Sequence, residues 1–209
     1  MTRPLRTSAT AFLRNENGAS FVEFALVISF FLFLVFAVID FGRLAYTWSA
    51  TQKATQIAAR IASVRPPACP GVPTRHERGA LGQSVTFGTL CRAAAGTCAA
   101  PAPVTCTGTA TNPTATEIMQ RITPLLPPGT TVANLRFTYS SDANLGFLGG
   151  PYVPMVTVDL EQVEFVFVSN LGRLIAPVIG QQTTLGSNIP LPRMSVSVPG
   201  EDLASGTAG

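Results

Sequence analysis

From Ala19 to Ile39 the chain runs through 21 residues of which Glu23 is the only charged one, and no other feature limits the fold so strongly. A helix of that length spans about 31 Å, close to the ~30 Å hydrocarbon core of a bilayer. Phe24 to Ile39 carries apolar residues on every helical face, which a half-buried globular helix does not do. The stretch therefore reads as a transmembrane helix rather than a core helix. Arg3, Arg6 and Arg14 precede it and the mixed pair Asp40 and Arg43 follows it, so residues 1–18 are expected to stay cytoplasmic and the rest to be exported. A secretory signal peptide fits poorly. The apolar run is too long, and no small-x-small cleavage site follows Ile39.

Composition agrees with a membrane-associated chain. Charged residues make up 12%, about half of the ~25% usual in soluble domains, and mean hydropathy is +0.33. The net charge of +3 comes from scattered basic residues, with Lys53 the only lysine, so a nucleic-acid partner has no electrostatic footprint.

Beyond Asp40 the apolar residues turn periodic. Ala50, Ala54, Ile57, Ile61 and Val64 stand opposite Ser49, Gln52, Gln56, Arg60 and Ser63, which predicts an amphipathic helix over 41–65. Pro66-Pro67 stops it, because proline lacks the N–H and restricts the residue before it. One helix from Ala19 to Val64 would be about 69 Å long, half in the membrane and half against a head, with Gly42 tolerated or slightly kinked. Asp40 and Arg43, three apart, either pair at the membrane edge or stand separately solvated. Tyr46 and Trp48 suit an interfacial belt or a packing contact with the head.

The residues around the start of the helix, Gly18-Ala19-Ser20-Phe21-Val22-Glu23-Phe24-Ala25-Leu26, then Ile39-Asp40-Phe41-Gly42-Arg43-Leu44 and Ala58-Ala59-Arg60, resemble the TadE-like family of tight-adherence pilus assembly proteins, small minor pilins or pseudopilins. The resemblance covers Ala19 to Val64. It implies a pilin-like α+β fold and cleavage after Gly18 by a prepilin peptidase at the inner membrane, leaving Ala19 as the new amino terminus. It also implies other pilin subunits and the assembly platform as partners, with the head periplasmic or extracellular. Glu23 would then set axial register by offering a carboxylate to a neighbouring subunit's α-amino group; the plainer alternative leaves it at the headgroup level. An uncleaved anchor carrying an exported binding or adhesion domain is the second functional reading.

An exported head is expected over 66–199. Residues 66–113, rich in Pro, Gly, Thr and Ala, read as loop and hold Cys69, Cys91, Cys98 and Cys106. Four cysteines in an exported chain suggest two disulfides in any of three pairings, and the absence of a C-x-x-C pair argues against a metal site. Thr114 to Glu117 matches a capping box before a short helix through Ile118, Met119, Ile122 and Leu125, ending at Pro127-Pro128. Alternation at 135–139, 156–160 and 194–198 predicts strands. A parity change near Glu161-Gln162 means a bulge or a change of face at the sheet edge. The expected architecture is α+β, the long helix packed on a small antiparallel sheet. Leu171 to Ile179 reads as a long loop, too short for a second span, and 200–209 as a flexible tail.

Catalysis has little support. His76 is the only histidine and is expected at the surface, and no phosphate-binding, zinc-protease or serine-hydrolase motif occurs. Asp159, Glu161 and Glu164 read as a solvated strand face. No enzyme activity, cofactor or metal is expected.

Overall fold

Pro66 and Pro67 close the longest element where the sequence places its end. Helix α1 spans Ala19–Val64 without interruption, through Gly42. The structure, a computed structural model, describes residues 18–168, 188–201 and 203. They divide into two compact units, the described parts of 1–43 with 167–187 and of 44–166 with 188–209.

In the second unit, β1 (Val104–Thr107), β2 (Leu135–Ser140), β3 (Met155–Leu160) and β6 (Met194–Pro199) form an antiparallel sheet in the order β1-β2-β3-β6. Strands β4 (Glu164–Phe165) and β5 (Ile189–Pro190) pair separately. The fold class is α+β, as the hydrophobic periodicities predict. Alternation decides the faces: Leu135, Phe137, Tyr139, Val156, Val158 and Leu160 are buried on one side. Across the other side runs a hydroxyl row in register, Thr105, Thr138, Thr157 and Ser197, with Thr105 to Thr138 at 3.2 Å and Thr157 to Ser197 at 2.7 Å.

The buried stripe of α1 differs from the expected one. Ala54, Ala58, Ala59 and Ala62 are fully buried together with Thr51, Thr55 and Ser63, whereas Ile57 and Ile61 are half-buried and Val64 is exposed. Small side chains let other elements approach the helix backbone closely, and the polar ones do not forfeit hydrogen bonds. Thr51 donates to the carbonyl of Thr47 at 2.7 Å, Thr55 to Thr51 at 2.9 Å, and Ser63 to Arg60 at 2.9 Å. Ranking residues by hydrophobicity alone therefore turns the stripe to the wrong side.

Helix α2 (Pro113–Ile122) starts two residues earlier than the capping box suggests. Asn112 is the cap, its side chain accepting from the Ala115 N–H at 2.8 Å, and Pro113 takes the first helical position, where its missing N–H costs nothing. Thr114 instead donates to the carbonyl of Pro66 at 2.8 Å, and Arg65 pairs with Glu117 at 2.8 Å, so both tie α2 to the end of α1. The helix ends at Ile122 in a short 3-10 turn.

The stretch 66–113 is not all loop, since it supplies β1. At Glu161-Gln162 there is no bulge within a strand. β3 ends at Leu160, Gln162 takes φ 55°, and the chain moves to the second sheet, which accounts for the parity change. The expected flexible tail begins too early: Gly200 donates to Pro154 and Glu201 to Ser63, both at 2.7 Å, and Leu203 is buried. Residues 1–17, the expected loop 171–179 and the rest of the tail lie outside the described residues.

Candidate functional site on the amino-terminal helix

In the first unit the apolar half of α1 is laid bare. From Phe21 to Phe33 every side chain is exposed, and the helix is long and apolar enough to cross a membrane. A row of exposed phenylalanines would be untenable in water, so this surface requires lipid or other apolar helices around it. Gly18 precedes the first helical residue, Ala19, and Glu23 stands four residues further on, exposed. Between Glu23 and Asp40 lie 16 uncharged residues, about 24 Å of helix.

Asp40 closes that span and is only 2% exposed. Its Oδ1 lies 3.5 Å from the Arg43 guanidinium and accepts the Val168 N–H at 3.3 Å. The pairing with Arg43 is the three-apart arrangement open to a helix. The contact with Val168 joins residues far apart in sequence, and no local pattern points to it.

Residues 18–60 match the TadE-like protein family. The match begins at Gly18 and otherwise lies within α1, so it covers the apolar span, Glu23, Asp40 and Arg43. No curated protein and no solved structure matches the chain. Apart from Gly18, the matched stretch is the apolar and following part of α1 alone, and the head beyond residue 60 lies outside it.

In that head the four cysteines form two disulfides, Cys69–Cys106 and Cys91–Cys98. The first joins the chain just after α1 to β1. The second closes a small loop in an irregular lobe, which backbone bonds attach to 146–152: His76 N to Gly150 O at 2.9 Å, Gly149 N to His76 O at 2.9 Å, and Cys91 N to Gly146 O at 3.2 Å.

His76 is not at the surface, where its Pro- and Gly-rich neighbourhood suggests it should be. It is 5% exposed, its ring tilted against Tyr152 with centroids 5.1 Å apart, and its Nε2 accepts the Val153 N–H at 3.1 Å. Gly146, at φ 75°, makes room for it; a β-carbon there would collide with the imidazole. Burial holds the His76 pKa below its ordinary 6.5, so the folded protein keeps the ring neutral. His76 and Asp142 line one cavity, Tyr152 faces the ring, and Arg75 and Glu77 flank His76 in the chain.

The sign of the pH effect follows. As pH falls below 6.5 the unfolded chain takes up the proton first, so stability is full above that value and declines as pH approaches the lowered folded pKa. In urea titrations followed by the fluorescence of Trp48, wild type should lose stability between about pH 7.5 and about pH 5 more steeply than His76→Asn. Parallel pH profiles for the two chains would rule out this contribution.

The expected solvated carboxylate face is also different. Asp159 is fully buried and bonded to Arg193 at 2.5 Å, while Glu161 lies 3.1 Å from Arg193 and 3.7 Å from Arg136. Two arginines thus pair with these two carboxylates, while Asp159 Oδ1 is buried with no hydrogen-bond partner among the described residues. Glu164, on β4, accepts from Asn188 at 3.0 Å. Trp48 lines a groove with Gln52, Gln56 and Arg193, and Tyr46 is exposed.

Proposed function

We propose that the protein is a minor pilin or pseudopilin of a tight-adherence pilus, a structural subunit and not an enzyme. A prepilin peptidase cuts after Gly18 at the cytoplasmic face of the inner membrane. The mature chain of 209 − 18 = 191 residues keeps α1 as its anchor, with the head periplasmic or extracellular. The observation that carries this reading is the family match starting at Gly18, directly before an uninterrupted helix whose first half is apolar and exposed. A peptidase of this kind removes the basic leader and leaves the helix available to sister subunits and the assembly platform. Glu23, the one carboxylate in an apolar span, then meets the neighbouring subunit's new α-amino group in low dielectric and fixes axial register. Asp40 with Arg43 marks the outer membrane edge.

Intact mass and amino-terminal sequencing of the protein from host membranes, with and without the peptidase, test the proposal. A chain starting at Ala19 only when the peptidase is present is the expected result. Retention of residues 1–18 in both strains would sink it and favour an uncleaved anchor for a binding or adhesion domain. Glu23→Gln should be cleaved normally yet enter pilin complexes poorly, read by co-purification; normal incorporation would remove the register role.

A further inference from the structure

The chain's only histidine sits beside one disulfide and not the other. An imidazole nitrogen of His76 and the Sγ atoms of Cys91 and Cys98 all lie within 4.8 Å of one another. Because Nε2 accepts the Val153 N–H, the proton of the neutral ring is on Nδ1. That N–H is buried and meets no acceptor among the described residues. A buried donor without a partner destabilises the state that contains it, so the disulfide form leaves the lobe with an unmet hydrogen bond. The two residues differ in exposure: Cys91 is 4% exposed, whereas Cys98 is half-buried. Both line a cavity of about 200 Å³ together with His76, Ser141 and Asp142.

We propose that Cys91–Cys98 is an exchange site for small thiols, opened by attack of an external thiolate on Cys98 and expelling Cys91 as a thiolate that the His76 N–H stabilises. In that step the bond between the attacking sulfur and Cys98 Sγ forms while the Cys98–Cys91 bond breaks. One disulfide replaces another with no net oxidation, and the negative charge passes from the incoming sulfur to Cys91. The leaving thiolate is an anionic acceptor within 4.8 Å of an imidazole nitrogen. Exchange is faster the better the leaving thiolate is stabilised and the more accessible the attacked residue; an imidazole nitrogen lies within 4.8 Å of both sulfurs, and Cys98 is the more open of the two residues. Cys69–Cys106 has no imidazole partner of this kind. The proposal is independent of the pilus reading.

The test is anaerobic incubation of the detergent-solubilised full chain with glutathione, quenching with N-ethylmaleimide, and peptide mass spectrometry. Glutathione is expected on Cys98 with the alkyl group on Cys91, and Cys91–Cys98 should open on the order of tenfold faster than Cys69–Cys106. His76→Phe, which keeps a flat ring but removes the N–H, should slow that opening on the order of tenfold and leave Cys69–Cys106 unchanged. Glutathione mainly on Cys91, equal rates at the two disulfides, or a folded His76→Phe chain exchanging at the wild-type rate would each overturn the proposal. If His76→Phe does not fold, the site of the adduct and the ratio of rates in wild type still decide it.

Discussion

Replacing Cys69 and Cys106 together by serine should cost the head about 4 kcal/mol, against about 2.5 kcal/mol for the same change at Cys91 and Cys98. The difference comes from the chain that each bridge closes, with sequence separations of 37 and 7 residues. A longer loop removes more entropy from the unfolded ensemble, and the gain grows only with the logarithm of its length. Cys69–Cys106 also acts at a junction. It joins the exit of α1 to β1, the first strand of the sheet, where Ala68 donates to the Tyr139 hydroxyl at 2.9 Å and accepts from Asn112 at 2.9 Å. Urea unfolding of the oxidised full chain in detergent, followed by Trp48, would show the midpoint falling much further for the first pair. Equal losses for the two pairs would mean that loop closure is not what these bridges contribute.

Phe137→Ala is expected to destabilise the head by about 3 to 5 kcal/mol, the usual range for emptying a buried phenylalanine site. Phe137 is fully buried at the centre of β2, in register with Cys106 on β1 and Val158 on β3. The surrounding backbone is held on both sides by the sheet, so it cannot easily collapse into the space left behind. Thr138→Ala, one residue on but facing the hydroxyl row, is the control and should change stability by about 0.5 kcal/mol or less. The same urea titration separates them. A loss below about 1 kcal/mol for Phe137→Ala would show that this face does not hold the core assumed here.

The parts legible in the sequence are those whose signal is local. α1 ends where prolines forbid continuation, and its apolar half is visible because a membrane-facing helix must be apolar all round. The strands β2, β3 and β6 show as alternation because each has one buried face. Glu23 and Asp40 stand out for a similar reason, as charges in or beside a long apolar run, whereas Gly18 is singled out only by the family resemblance. β1 was hidden: four residues flanked by Pro103 and Gly108 present too short a pattern to distinguish from loop. His76 was hidden because its burial depends on the chain around Gly146 and Val153, some 70 residues away, packing over it.

Sequence alone thus determined the long helix with its apolar half, the α+β class and the presence of oxidisable cysteine pairs, all consequences of periodicity, proline placement and composition. Tertiary structure decided the rest. It chose one disulfide pairing of three, turned the alanine and threonine side of α1 inward, placed Arg193 on Asp159, and set the imidazole beside Cys91 and Cys98. Each of these rests on contacts between residues distant in the chain, whose energies arise only once the intervening loops have closed and the surrounding polar groups have lost water.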